Sequence, residues 1–251
     1  METIITSTQN PTVKYFKSLN TKKGRAEHGV FLTEGEKCVN ELIKHMPQML
    51  QSVIISDDKY ANIAAFAENM GKSVYRASPR VMNAVCDGKT PQGIAAAAKI
   101  PSFDTVQNGF IAALDGVRDP RNIGTIIRTA DAGGCSGVVL SPCCADCYSP
   151  KALRASMGSI FHLPVTRANL KSYLSRLLAL GYNIACADLD GDTEYRLDKY
   201  KTCLVIGNES RGISPEILSA ATHRIRIPMY GKAESLNAAV AAGILIYKIL
   251  N

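Results

Sequence analysis

From residue 110 onward, short continuous apolar runs alternate with segments of helical periodicity, and this predicts an α/β domain on a parallel sheet covered on both faces. Two further observations agree. Polar clusters follow the strand-like runs at their C-terminal ends, where open α/β sheets hold ligands. Pro101 and Gly109 interrupt residues 99–109, marking a linker ahead of the alternating region.

The elements read in order as a strand at 110–114 (FIAAL), a helix at 122–132, a strand at 137–141 (GVVLS), a helix at 149–160 and a short strand near 164–166. A helix at 169–180, strands at 183–189 (NIACADL) and 203–207 (CLVIG), a helix at 214–221, a strand at 224–228 (RIRIP) and a helix at 235–250 complete it. Ahead of the linker, periodicity gives short helices near 11–19, 35–46, 59–70 and 79–86, with strand-like runs at 51–56 and 92–98. The expected domains are 1–100 and 108–251.

With 46% hydrophobic and 20% charged residues over 251 positions, the composition is that of a globular protein rather than a disordered one. No uncharged stretch approaches the roughly 20 apolar residues of a membrane span. The first residues lack a basic region followed by a long apolar one, so a secretory signal is not expected. The eight cysteines are dispersed, several in apolar runs, as reduced core thiols would be, and a cytoplasmic protein is expected. Cys143, Cys144 and Cys147 include one CxxC, but a closed zinc site needs four ligands and no second CxxC occurs. No metal is expected.

The formal charge is +7. Within residues 1–25 five basic groups (Lys14, Lys17, Lys22, Lys23 and Arg25) face one acid, Glu2. A short basic segment of this kind suits a phosphate-tracking arm, because Lys and Arg on a polyanion release counterions; a solvated helix face is the alternative.

The sequence contains no GxGxxG after a first strand and no GxxxxGK[ST], GxSxG or HExxH, which argues against the common nucleotide cradles, hydrolase elbows and zinc proteases. Three segments stand out instead. In residues 114–134, Ile123, Ile126, Ile127 and Ala130 form a buried stripe, while Arg121, Thr125 and Arg128 share another face; Asn122 sits near the helix start. In 204–214, a strand runs into Gly207-Asn208-Glu209, where the glycine would let a flat ligand approach main-chain amides and Glu209 could orient a partner. In 224–250, a loop leads to a helix whose polar first turn holds Ser235 and Asn237 and whose body carries Lys248 as its only charge. So apolar a helix must be buried by other elements or by a second subunit.

In this order and spacing, N122-I-G-T-I-I-R128, I206-G-N-E-S-R-G212 and I227-P-M-Y-G-K-A-E-S-L-N237 resemble the three motifs of the SpoU (TrmH) branch of the SPOUT RNA methyltransferases, which methylate a ribose 2′-hydroxyl from S-adenosylmethionine. The segments S7-T-Q-N-P-T-V-K14, K22-K-G-R25 and G29-V-F-L-T-E-G-E36 are similar to that family's L30e-like substrate-binding module. The resemblance implies a C-terminal trefoil knot holding the cofactor and a homodimer with its active site across the subunit interface. It implies Arg128, Asn122, Glu209, Ser235 and Asn237 as catalytic residues, and cofactor contacts at Gly207, Ile227, Met229, Leu236 and Ala187. RNA would be held by Lys14, Lys22, Lys23, Arg25 and Arg121, with ribosomal RNA favoured over tRNA. The rival readings are a tRNA enzyme, a base methyltransferase of another SPOUT branch, and a non-catalytic RNA-binding or ribosome-assembly protein of the same fold.

Overall fold

The computed structural model describes residues 4–88 and 90–250, which fold as two compact units. The first contains residues up to Pro101 together with Asp146–Phe161; the second contains Ser102–Ala145 and the chain from His162 onward. The boundary near residue 101 falls inside the linker segment, but Asp146–Phe161, which the sequence reading assigns to the second domain, clusters with the first.

In the first unit, α1 (Pro11–Ser18) and α2 (Lys22–His28) precede β1 (Val30–Glu34), α3 (Glu36–His45) and β2 (Leu50–Ile55). Then come α4 (Ala61–Asn69), β3 (Ser73–Arg76), α5 (Pro79–Val85) and β4 (Ile94–Lys99). The strands form one sheet in the order β1-β4-β2-β3, with β4 antiparallel to both neighbours and β2 parallel to β3. Val13, Phe16 and Leu19 of the first helix and its end pack with Val81, Met82 and Val85 of α5 on one face of this sheet. The helix α2 has no apolar stripe, and a Cβ on its Gly24 would come within 2.2 Å of the Ser18 carbonyl oxygen, so only glycine permits this approach to the end of α1.

The second unit opens with β5 (Ile111–Leu114), α6 (Pro120–Ala132) and β6 (Gly137–Leu140). The chain then contributes α7 (Pro150–Ser156) to the first unit and returns as β7 (Val165–Arg167), α8 (Leu170–Ala179), β8 (Asn183–Asp192) and β9 (Thr202–Ile206). It ends with α9 (Pro215–Leu218), β10 (His223–Ile225) and α10 (Ala238–Leu250). All six strands are parallel, in the order β10-β8-β9-β5-β6-β7. The central strands β9 and β5 are buried along their whole length, as continuous apolar runs in a parallel sheet require. Tyr173, Leu174 and Leu177 of α8 cover one face, and α6 packs against α10. Among the described residues no helix is long and apolar enough to cross a membrane.

Candidate active site

The site-forming loops of the second unit follow the C-terminal ends of adjacent strands β5 and β9. After β5 the chain turns through Asp115 and Gly116 into α6, whose N-cap is Asp119, its carboxylate accepting from the Arg121 amide at 2.8 Å. After β9 it enters a tight loop in which Asn208 and Gly212 exchange two main-chain hydrogen bonds of 2.9 Å. Asn208 ties the loops together: its Nδ2 donates to the Gly116 carbonyl at 2.7 Å, while its Oδ1 accepts from the amides of Ser210 and Arg211. Asp115 in turn accepts from the Ser214 amide at 2.8 Å.

This loop geometry sets a requirement of its own for glycine at position 207. A Cβ there would lie 2.3 Å from both the Gly212 carbonyl carbon and the Ile213 nitrogen. The absence of a side chain is required by the chain's own backbone, and Gly207 does not line the cavity described below.

Glu209 projects from the same loop into the start of α6. Its Oε1 accepts from Asn122 Nδ2 at 2.9 Å and from the Asp119 amide at 3.1 Å, and its Oε2 accepts from the Arg118 amide at 3.2 Å. Partial burial works to raise the Glu209 pKa, but hydrogen bonds from Asn122 and from main-chain amides outweigh it and hold the group below its ordinary value. It is a carboxylate at neutral pH. Asn122, 8% exposed, passes the connection on: its Oδ1 accepts from Asn237 Nδ2 at 3.0 Å. Asn237 Oδ1 accepts from the amides of Ala239 and Val240, capping α10. The helix therefore starts at Ala238, three residues later than periodicity indicates. One hydrogen-bonded chain, Glu209 to Asn122 to Asn237, thus joins all three motifs.

Arg128 and Arg121 are exposed on α6, on the face away from its buried isoleucines. Among the described residues Arg128 has no hydrogen-bond or ion-pair partner, so its guanidinium is available to an external anion. Ser235 is exposed in the loop before α10 and lines a cavity of about 110 Å³. Ala187, Ile227, Met229 and Leu236 share that cavity, with Leu245 of α10. The sequence reading missed Asp188 and Arg226, which also line it. Asp188 follows Ala187 in β8, which runs on to Asp192, so Ala187 lies within the strand rather than at its end.

In the first unit, Lys14, Lys22 and Lys23 are exposed as expected of an RNA-binding arm, and Arg25 is not. Arg25 is 4% exposed, ion-paired with Asp146 at 2.6 Å and donating to the Leu19 carbonyl at 2.7 Å. Its charge is neutralised inside the fold and is not available to RNA.

Comparison with known proteins agrees with this arrangement. Residues 109–247 match the SpoU rRNA Methylase family, and residues 10–96 match the MRM3-like substrate binding domain. The chain is 38% identical over 247 residues to the 23S rRNA (guanosine(2553)-2′-O)-methyltransferase RlmP of Bacillus subtilis, covering 98% of each. Among solved structures, the AdoMet-bound rRNA methyltransferase from Sinorhizobium meliloti has a TM-score of 0.88 at 32% identity, covering 98% of this chain and 96% of that one. The AdoMet complex of the SpoU methyltransferase AviRb from Streptomyces viridochromogenes has a TM-score of 0.82 at 27% identity, covering 96% and 97%. The chain belongs to the SpoU rRNA methylase family.

Proposed function

We propose that the protein transfers a methyl group from S-adenosylmethionine to a ribose 2′-hydroxyl of ribosomal RNA. The observation that carries this reading is the Glu209–Asn122–Asn237 chain, which fixes the three motifs together on the helix that presents an unpartnered Arg128. The cavity between β8 and the start of α10 is where this reading seats the cofactor: its walls are mostly apolar, with Asp188, Arg226 and Ser235 as polar groups. Bound there, S-adenosylmethionine supplies an already activated sulfonium methyl.

The protein's task is then alignment and charge stabilisation. Arg128 stays charged, because a guanidinium gives up a proton only at high cost. It holds the RNA phosphate beside the target ribose and stabilises negative charge developing on the 2′-oxygen, while a phosphate oxygen or water takes the proton. Glu209 and Asn122 hold α6 against the other two motifs, and Asn237 fixes the start of α10. Lys14, Lys22, Lys23 and Arg121 bind phosphates without reading sequence.

The same reading includes a homodimer, supported by apolar side chains left exposed on α10, and a cytoplasmic setting with its substrate. It also includes the knot: β10 lies at the outer edge beside β8, yet α10 returns to pack on α6. The test is incubation with methyl-labelled S-adenosylmethionine and unmodified total RNA, separation of rRNA from tRNA, and digestion to nucleosides. Label is expected in a 2′-O-methylnucleoside from the large rRNA; label on a base or in tRNA overturns the reading. Arg128→Lys is expected to lower turnover by about 100-fold, as loss of an electrostatic stabiliser does, and near-full turnover would remove Arg128 from this role.

A further inference from the structure

The first unit contains a larger cavity than the one assigned to the cofactor, of about 550 Å³, within the range of about 300–1,000 Å³ usual for small-ligand sites. It lies where the end of β1, the start of α3 and the loop after α5 meet α7.

Its charges are balanced. Arg154 of α7 bonds Glu34 through one nitrogen at 2.5 Å and Asp87 through another at 2.7 Å, so this cation is spent on the wall itself. The second Glu34 oxygen is occupied by the amides of Asp87 and Gly88. What remains for a ligand is specific. Asp87 Oδ1, the Thr90 hydroxyl and the Lys37 ammonium have no partner among the described residues.

The cavity is also lined by Met157, the only non-glycine at positive φ (53°) among the described residues. It ends α7 in the left-handed region, where glycine is the favoured residue. The glycine stands one position later instead: a Cβ on Gly158 would meet Glu41 Cγ at 2.6 Å. Residue 157 has no such need, yet it keeps a strained methionine that is 38% exposed at the cavity. A thioether packs favourably on aromatic rings. Strain held by a side chain that faces a cavity points to use of that side chain.

We propose that this cavity receives an unstacked nucleobase of the RNA substrate, its ring against Met157, an exocyclic amino group on Asp87 Oδ1 and its phosphate on Lys37. Single-stranded RNA is recognised in this way, by splayed bases held on their faces and edges. The assignment rests on the RNA-methyltransferase reading for the identity of the polymer. Uracil, which has no exocyclic amino group, fits this site worst.

The test uses full-length protein labelled with 13C at the methionine methyls, titrated with GMP, AMP, CMP and UMP and then with protein-free large-subunit rRNA. The Met157 methyl, identified by its loss in Met157→Ala, is expected to shift with the three amino-bearing nucleotides and less with UMP. Met157→Gly removes the strain and the thioether together. It is expected to keep or raise the melting temperature while weakening rRNA binding by roughly three- to tenfold, the range of a sulfur–ring contact. A stabilised Met157→Gly protein with unchanged rRNA affinity and a Met157 methyl indifferent to nucleotides would overturn the proposal. Equal shifts with all four nucleotides would overturn the role of Asp87. A wild type that transfers no methyl group but shows these responses would refute the reaction and leave the cavity assigned; methyl transfer without them would do the reverse.

Discussion

Lys22, Lys23 and Arg25 lie within one short helix, but their charges face different media. The two lysines are exposed, whereas Arg25 is buried against Asp146. Arg25→Gln should lower folding stability by about 3 kcal/mol, because it strands a partly buried carboxylate, and this is measurable by urea denaturation. The double change Lys22→Gln/Lys23→Gln should leave stability unchanged and flatten the dependence of log K on log salt for RNA by about 1.4 to 1.8, the loss of two phosphate contacts. An unchanged slope would take the arm off the interface. Glu209 gives a second residue-level expectation. Its folded pKa is depressed, so its hydrogen bonds contribute stability that is present above the ordinary glutamate value of 4.5 and lost as pH falls through the lower folded value. The stability difference between wild type and Glu209→Gln should therefore be constant near neutrality and shrink below about pH 4.5. Thermal melts of both proteins from pH 3 to 7 would show it, and a difference that grew on acidification would contradict the assignment.

At the scale of elements, the turn between β9 and α9 is held tightly against its own backbone. Gly207→Ala would drive a methyl group into the backbone of residues 212 and 213. The expected result is a stability loss of about 1–3 kcal/mol, as for other overpacked sites, together with loss of methyl transfer because Glu209 is carried on the displaced loop. A variant with wild-type activity would show that the loop yields without moving Glu209. The backbone requirement at this glycine was not legible in the sequence, which shows a strand-end glycine but not the return of the chain against it. The parallel sheet was legible, because strands buried on both faces write themselves as apolar runs. The strand β1 was legible only as part of a motif, and β3 was not read at all: it has four residues, none fully buried, so its apolar pattern is weak. The helix α2 has no apolar stripe to betray it; Thr21 caps its start and Gly29 its end in left-handed conformation. The helix read at 149–160 stops at Ser156, where Met157 itself takes the left-handed conformation and the glycine stands one position later. Asp146–Phe161 was assigned to the second domain for a similar reason. Its membership of the first unit is set by tertiary contacts such as Phe31 with Tyr148 and Phe161, and no local signal encodes those.

At the scale of the whole molecule, α10 poses a question that its own unit does not answer. Ala238, Ala239, Ala242, Leu245, Ile246 and Ile249 are buried, which uses up one side of the helix. Val240, Ile244 and Tyr247, spaced i, i+4 and i+7, form an apolar stripe on another side and remain 50%, 42% and 46% exposed. Lys248 is the only charge in the helix, and it is engaged, donating to the Thr193 carbonyl and lying over the Tyr195 ring. Contiguous apolar surface of this kind marks an interaction site, and an isologous pairing of two copies buries the same stripe twice with one set of residues. A charge placed at its middle should therefore oppose association without disturbing the fold, since the Ile244 side chain is outside the core. Ile244→Glu is expected to sediment as a monomer with an unchanged circular dichroism spectrum where the wild type sediments as a dimer. If the dimer of the proposed function completes the active site, its methyl transfer should fall much further than its binding of isolated RNA, because each chain keeps its own basic arm. A wild type that is monomeric at tens of micromolar, or an Ile244→Glu monomer with full turnover, would show instead that each chain carries a complete site.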